Sequence, residues 1–342
     1  MMKALHSAGR IANPVLRRQL STAAGTNGLD FVVNKPGIKA NLIDGNLLAK
    51  RIQRELYDEV CGITAKSQRP PNLTVVLVGD DPASKTYVKR KSKTAIKVGM
   101  RGDVLHKPAT IGQDELLELI ESLNKDDNID GVLVQLPLPP HIDETLICQS
   151  ISPFKDVDGF HLLNIGRYVM GRPAFIPATP LGVLEILKRC KVDTFGKTAC
   201  IVGRSKHIGF TLSTLLHSDG YGTNNPLIGA DATTIICHRY TPPDELKRMT
   251  LLSDIVITGT GVPGLIRGDM IKEGATVIDI GLIKMKDANG ETLIVGDVEF
   301  PQVSKVASLI TPVPGGVGPM TVAMVLKNTI HAANGIYKEL YN

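Results

Sequence analysis

The sequence predicts a two-domain α/β protein, and three observations carry that expectation. Apolar runs of strand length alternate with amphipathic stretches of helical length, and the alternation occurs twice along the chain. The 342 residues give each half room for its own core. The 33 glycines and 21 prolines are spread over many short turns rather than gathered in low-complexity tracts. The cleft between two such sheets is where a ligand is expected.

Residues 47–60 read as an amphipathic helix. Residues 73–78 form a β-rich apolar run ending at Gly79, and Pro82 then opens a long basic helix to about residue 97. A short strand near Val104 and Leu105 and a helix over 114–123 follow. The turn Asp130-Gly131 leads into a strand over 132–136, which completes a parallel sheet covered by helices. Thr179-Pro180 starts a helix to about residue 189 that crosses into a second unit. There, strands at 199–202, 232–237, 254–257 and 275–280 and a helix at 208–216 make a Rossmann-like pattern. A Pro/Gly loop and a helix over 322–337 close the chain, and that helix is expected to return to the first domain. The predicted division is a leader at 1–36, a first domain at 37–180 plus 313–342, and the Rossmann-like domain at 181–312.

The formal charge of +5 is concentrated at one end, because residues 1–29 hold Lys3, Arg10, Arg17 and Arg18 and no acid. The remainder is close to neutral, which gives a nucleic-acid partner little electrostatic support. The Arg-bearing, Ser/Thr/Ala-rich leader has the make-up of a mitochondrial transit peptide. No stretch approaches the ~20 apolar residues of a membrane span. The five cysteines form no CxxC pair and the eight histidines no HxxxH, so neither a disulfide framework nor a zinc site is expected. Cys200 and Cys237 sit in apolar runs and read as core residues.

Five segments carry chemistry. In the basic helix, Tyr87 and Lys91 stand at i and i+4 and share a face, and burial there would lower the lysine's pKa towards a general base. Gln135, between Val134 and Leu136, is a polar residue in an apolar run at a strand end and needs a partner if buried. In Lys155-Asp156-Val157-Asp158-Gly159, Asp158 can hold the N–H-rich edge of a heterocycle, although such a pair is also a common turn. Gly203, Arg204, Ser205, Ile208 and Gly209 lie between a strand and a helix, where backbone N–H groups face a pyrophosphate. Residues 311–321 hold three glycines and three prolines, among them Pro314, Gly315, Gly316 and Gly318 around Val317. That backbone is stiff in places and bare in others, which suits a flat ligand. Thr258 and Gly259 follow the strand at 254–257, Gly281 and Leu282 follow that at 275–280, and the four complete the expected cofactor-binding set. Arg239 stands where an NAD-binding unit usually has an acid, which on charge alone favours the 2′-phosphate of NADP.

Taken in order, these motifs resemble the methylenetetrahydrofolate dehydrogenase/cyclohydrolase family, in its mitochondrial NAD-linked branch, over residues 40–340. The resemblance implies a homodimeric mitochondrial matrix enzyme that oxidises 5,10-methylenetetrahydrofolate with NAD and hydrolyses the methenyl product to 10-formyltetrahydrofolate. It implies no membrane or nucleic-acid partner and no synthetase domain. Lys91 would be the key catalytic residue, Tyr87 would stack on or orient the folate, Gln135 would keep Lys91 deprotonated, and Asp158 would grip the pterin. Val134, Leu136 and residues 314–318 would line the folate site. Arg204 and Arg239 would bind inorganic phosphate and Asp231 a magnesium ion, filling the place of NADP's 2′-phosphate so that NAD is used. NADP as preferred cofactor, or a Rossmann-type binding protein without catalysis, are the alternatives. The chain departs from the family pattern at Thr211, at Ile283 and in a longer stretch over 221–227.

Overall fold

A computed structural model describes residues 30–67, 69–220, 229–286 and 290–337. The basic leader and the 221–227 stretch lie outside the described residues. Two short strands, β1 (Val32–Val33) and β2 (Asn41–Ile43), precede α1 (Gly45–Ser67). Then β3 (Asn72–Val78), α2 (Pro82–Lys97), β4 (Arg101–Lys107), α3 (Gln113–Lys125) and β5 (Gly131–Val134) build the first parallel sheet, in the order β4-β3-β5. All seven residues of β3 are buried, as a central strand covered on both faces requires. Asp81 caps α2 by accepting the Ser84 N–H at 2.7 Å, and Pro82 occupies the first turn, where its missing N–H costs nothing.

Three helices, α4 (Glu144–Ser150), α5 (Leu162–Val169) and α6 (Ala178–Arg189), lead to the second sheet. Its strands are β6 (Thr198–Val202), β7 (Thr233–Cys237), β8 (Ile255–Thr258) and β9 (Thr276–Asp279), with α7 (Thr211–His217) and α8 (Pro243–Leu252) between them. A hairpin of β10 (Ile283–Lys286) and β11 (Thr292–Val295), a short α9 (Phe300–Val303), β12 (Leu309–Ile310) and α10 (Val317–Ala333) follow. The large sheet runs β1-β2-β12-β9-β8-β6-β7, parallel throughout except for β1. β2 therefore belongs to the large sheet, although it falls within the stretch assigned by sequence to the first domain.

α10 begins five residues earlier than its apolar run indicates, because Pro319 fits a first turn. It is apolar all round and buried, packing on α1, α2, α6 and the small sheet. Asn328 in its middle donates to the carbonyls of Val157 and Ile176, at 2.9 and 3.0 Å, and so ties the helix to the loop that carries Asp158. Cys200 and Cys237 are buried reduced thiols with Sγ atoms 3.8 Å apart. Among the described residues no helix is long and apolar enough to cross a membrane.

Candidate active site

A cleft of about 840 Å³ opens at the carboxyl ends of both sheets, roofed by the Pro/Gly loop before α10. On α2 the residues that turn inward are Ser84, Val88, Lys91 and Ala95, an i, i+4, i+7, i+11 face. The helix thus buries Lys91 by the same periodicity that buries Val88. Lys91 is only 6% exposed, and burial lowers its pKa, with the carboxylate of Asp158 pulling the other way. Its Nζ donates to Gln135 Oε1 at 3.1 Å. Gln135 is the first residue past β5; its N–H continues the ladder to the Val76 carbonyl, and its Nε2 donates to the Leu136 carbonyl at 2.7 Å. The amide is therefore oriented so that its oxygen faces the lysine. An amine so placed can hold or release a proton at the cleft floor.

The two aspartates near Gly159 have different work. Asp156 is buried, accepts the His161 N–H at 2.8 Å and Asn164 Nδ2 at 3.0 Å, and is pushed up to about 6 by burial. It closes the loop. Asp158 instead faces the cleft, where burial raises its pKa and Lys91 and His207 lower it. Tyr87, Leu136, Pro314, Gly315, Gly316, Val317 and Gly318 all line the same cleft. Val134 does not; it is buried inside β5, 3% exposed.

On the other wall, Gly203 adopts φ +123° after β6, and a Cβ there would come within 2.8 Å of the Gly259 carbonyl oxygen. A Cβ on Gly209 would overlap the Gly203 carbonyl. The two glycines, six apart, let the loop fold back on itself and on the end of β8. Ser205 opens a wide turn over Lys206–Phe210 that runs into α7, and its Oγ accepts the Gly209 N–H at 3.4 Å. Thr211 closes that turn through its hydroxyl, 3.0 Å from the Lys206 carbonyl and 3.0 Å from Tyr168 Oη, which gives the departure at this position a structural role. Ile283 starts the β10–β11 hairpin. Ser205, Ile208, Gly281 and Leu282 line the cleft, whereas Gly203, Gly209, Thr258 and Gly259 shape the backbone behind it. This cradle, bare of Cβ atoms at a strand-to-helix junction, fits a dinucleotide.

Sequence reasoning missed three residues here. His207 lines the cleft with its ring 4.0 Å from that of Phe160, and its buried Nδ1 has no partner. Asp279 and Asp297 are buried beneath the loops after β8 and β9. Asp297 accepts from the hydroxyls of Thr258 and Thr260 and the N–H of Gly261, and Asp279 from the N–H groups of Gly281 and Val298. An aspartate closing an apolar strand, as Asp279 does, was the available signal.

Arg204 lies with its guanidinium carbon 5.8 Å from the Tyr240 ring centroid, beside the loop after β7 that carries Arg239. Asp231 stands at the opposite end of β7, in a left-handed conformation with φ +51°, its Oδ1 accepting the Gly220 N–H. The five residues of β7 alone span about 13 Å. Within one chain, Asp231 and the two arginines do not meet. No group of three His, Cys, Asp or Glu side chains among the described residues is arranged to hold a metal.

The sequence matches the tetrahydrofolate dehydrogenase/cyclohydrolase family twice, as its catalytic domain over residues 43–158 and as its NAD(P)-binding domain over residues 177–336. A mitochondrial bifunctional methylenetetrahydrofolate dehydrogenase/cyclohydrolase of Gallus gallus is 50% identical over 307 residues, 90% of each chain. One from Drosophila melanogaster is 49% identical over 86% of this chain and 94% of its own length. Among solved structures, a 5,10-methylenetetrahydrofolate dehydrogenase of Bombyx mori is 44% identical with a TM-score of 0.82, covering 87% of this chain and 99% of its own. A Trypanosoma brucei dehydrogenase-cyclohydrolase complexed with NADP and an inhibitor is 37% identical with a TM-score of 0.80, over 87% and 99%. With both family domains matched in order and half the residues shared along nearly the whole chain, the protein belongs to the tetrahydrofolate dehydrogenase/cyclohydrolase family.

Proposed function

We propose that the protein oxidises 5,10-methylenetetrahydrofolate with NAD in the mitochondrial matrix and hydrolyses the resulting methenyl compound to 10-formyltetrahydrofolate. The observation that carries the chemistry is a buried lysine, bonded to an oriented glutamine and facing an aspartate, at the floor of the cleft. Asp158 accepts hydrogen bonds from the pterin edge, and Tyr87 stacks on the substrate above Lys91. A nicotinamide cofactor, when bound, supplies the hydride acceptor. Neutral Lys91 then takes the proton from the water that adds to the one-carbon bridge, and Gln135 holds the amine in place for that transfer. The Pro/Gly loop covers the substrate and limits the access of bulk water.

NAD preference follows from how the end of the adenosine ribose is met. Arg204 and Arg239 are suited to hold inorganic phosphate bidentately, in the position where NADP carries its own. Asp231 does not reach them within one chain, so it supports a magnesium-assisted site only through a second copy. β7 is an edge strand among the described residues, with Ile236 39% exposed, and such an edge pairs readily with another chain. An antiparallel pairing centred on Ile235 sets the partner's Asp231 opposite Arg239, since each lies four residues from that centre. We therefore favour a homodimer joined along β7, with each phosphate site shared. The first test is the initial rate of methylenetetrahydrofolate oxidation with NAD and with NADP, each with and without Mg²⁺ and phosphate. NAD activity that climbs sharply with both ions supports this assignment; faster NADP activity without them means that Arg239 reads the 2′-phosphate itself.

A further inference from the structure

Oxidation and hydrolysis differ in what they do with protons. When hydride leaves methylenetetrahydrofolate for a nicotinamide ring, no proton is released. When water adds to the methenyl cation, its oxygen bonds to the one-carbon bridge. One of its protons ends on N5 as the bond from that carbon to N5 breaks, and the other is released. Lys91 receives the released proton, and the amine must lose it before the next turnover. Its hydrogen-bond partner cannot carry the proton on: Nζ bonds Gln135 Oε1, and an amide oxygen accepts a hydrogen bond without taking up the proton. Lys91 is also only 6% exposed, so it has little direct access to solvent.

The lining of the cleft contains few groups able to take the proton. Arg90 and Lys284 are cations, and Asp81 is occupied in capping α2. Asp279 has its carboxylate oxygens bonded to the N–H groups of Gly281, Asp297 and Val298. Among the described residues, His207 is the imidazole of this lining. It sits on the turn between β6 and α7, next to exposed Ser205 and Lys206, and is itself partly exposed. Its Nδ1, by contrast, is buried and has no partner. A neutral imidazole takes a proton at one ring nitrogen and gives one up from the other, so a ring with a buried face and a solvent face suits transfer between the two. Phe160 steadies that ring, with centroids 4.0 Å apart and planes tilted by 31°. Burial lowers the pKa of His207 and keeps it neutral at neutral pH; Asp158 and Glu144 pull it up, and Lys206 pushes it down further. Asp158 stands between the two walls, its carboxylate interacting with the charges of both Lys91 and His207.

We propose that His207 takes the proton of hydrolysis from Lys91, through cleft water beside Asp158, and releases it to solvent, which resets the amine for the next turnover. This rests on methenyl hydrolysis being a reaction of the cleft. His207 acts through Lys91, gaining one proton and losing one in each cycle. The test follows loss of the methenyl absorbance at neutral pH in dilute buffer, with and without added imidazole, each rate corrected for hydrolysis without enzyme. His207→Ala is expected to lower the kcat of hydrolysis about tenfold, and free imidazole, as a diffusible proton carrier, restores most of it. The loss falls on kcat, because the proton leaves after water has added. The wild type does not respond to imidazole, and oxidation of methylenetetrahydrofolate, which releases no proton, responds in neither protein. His207→Gln keeps a polar side chain that cannot carry a proton, and is expected to be as slow as the alanine variant. Full hydrolysis by the glutamine variant, or a slow alanine variant that imidazole does not restore, overturns the relay alone. Loss of oxidation together with hydrolysis in both variants assigns His207 to the structure of the cleft and also overturns the relay. A wild type that hydrolyses no methenyl compound overturns the reading on which the relay rests.

Discussion

Lys91 is the residue on which the two proposed activities divide. Hydride leaves a carbon of the substrate without any need for a base, whereas addition of water needs one. Lys91→Met is expected to lower methenyltetrahydrofolate hydrolysis by at least about a hundredfold, followed by loss of the methenyl absorbance, with the fold intact. Because burial lowers the lysine's pKa, the wild-type rate rises with pH through a limb centred below the ordinary lysine range, and the Met variant lacks it. Stability carries the same sign: between the native and unfolded pKa the unfolded chain binds the extra proton, so stability climbs with pH there. Normal hydrolysis by the Met variant would remove Lys91 from the mechanism. His331 offers a separate check on α10, since burial, aided by Lys327, brings it down to about 4. From about pH 6.5 down to 4 the unfolded chain takes a proton that the native state refuses, which costs about 3 kcal/mol of stability across that window. His331→Gln should flatten this part of a urea-unfolding pH series. A variant that parallels the wild type throughout would show that His331 titrates normally.

The turn between β6 and α7 can be tested apart from the hydrolytic chemistry. Gly209→Ala sets a methyl group against the Gly203 carbonyl with backbone on both sides, so the loop must open. The expected result is a KM for the nicotinamide cofactor raised about tenfold or more, a loss of about 1.4 kcal/mol of binding, while methenyl hydrolysis is retained. Equal loss of both activities would mean that the substitution damages the fold rather than the cofactor site. Elements such as β3, α2 and β6 were legible in the sequence because each repeats one burial period over several residues. β1, β2 and β12 were not: two or three residues carry no period, and β12 pairs with β2 across more than 260 positions of sequence. The same limit governs the site. Tyr87, Lys91 and Gln135 announce themselves by helix spacing and by polarity in an apolar run. The partnerless ring nitrogen of His207, and Asp279 and Asp297 under two loops, acquire meaning only when separate strand ends converge. Asp231 and Arg239 are a different case: the resemblance implies that they serve one phosphate and magnesium site, and β7 lies between them within one chain.

In the proposed dimer, that separation would make subunit pairing part of cofactor choice. If two chains pair antiparallel along β7 about Ile235, every phosphate site takes Arg204 and Arg239 from one chain and the partner's Asp231 from the other. Ile236→Lys places a charge on the pairing edge and should yield monomers by sedimentation, with the ion-stimulated NAD activity lost and methenyl hydrolysis kept. Complementation discriminates further. Asp231→Ala and Arg239→Ala homodimers each have both sites broken. When the two chains are unfolded, mixed in equal amounts and refolded together, half of the dimers are mixed by random assortment. Each mixed dimer concentrates both lesions in one site and leaves the other whole. The mixture should regain about a quarter of the wild-type ion-stimulated NAD rate. If both residues served one site within a single chain, every site in the mixture would carry a lesion and nothing would be regained. Recovery near a quarter would thus tie NAD use to the dimer, because the groups that compensate for the missing 2′-phosphate would exist as a set only at the junction of two copies.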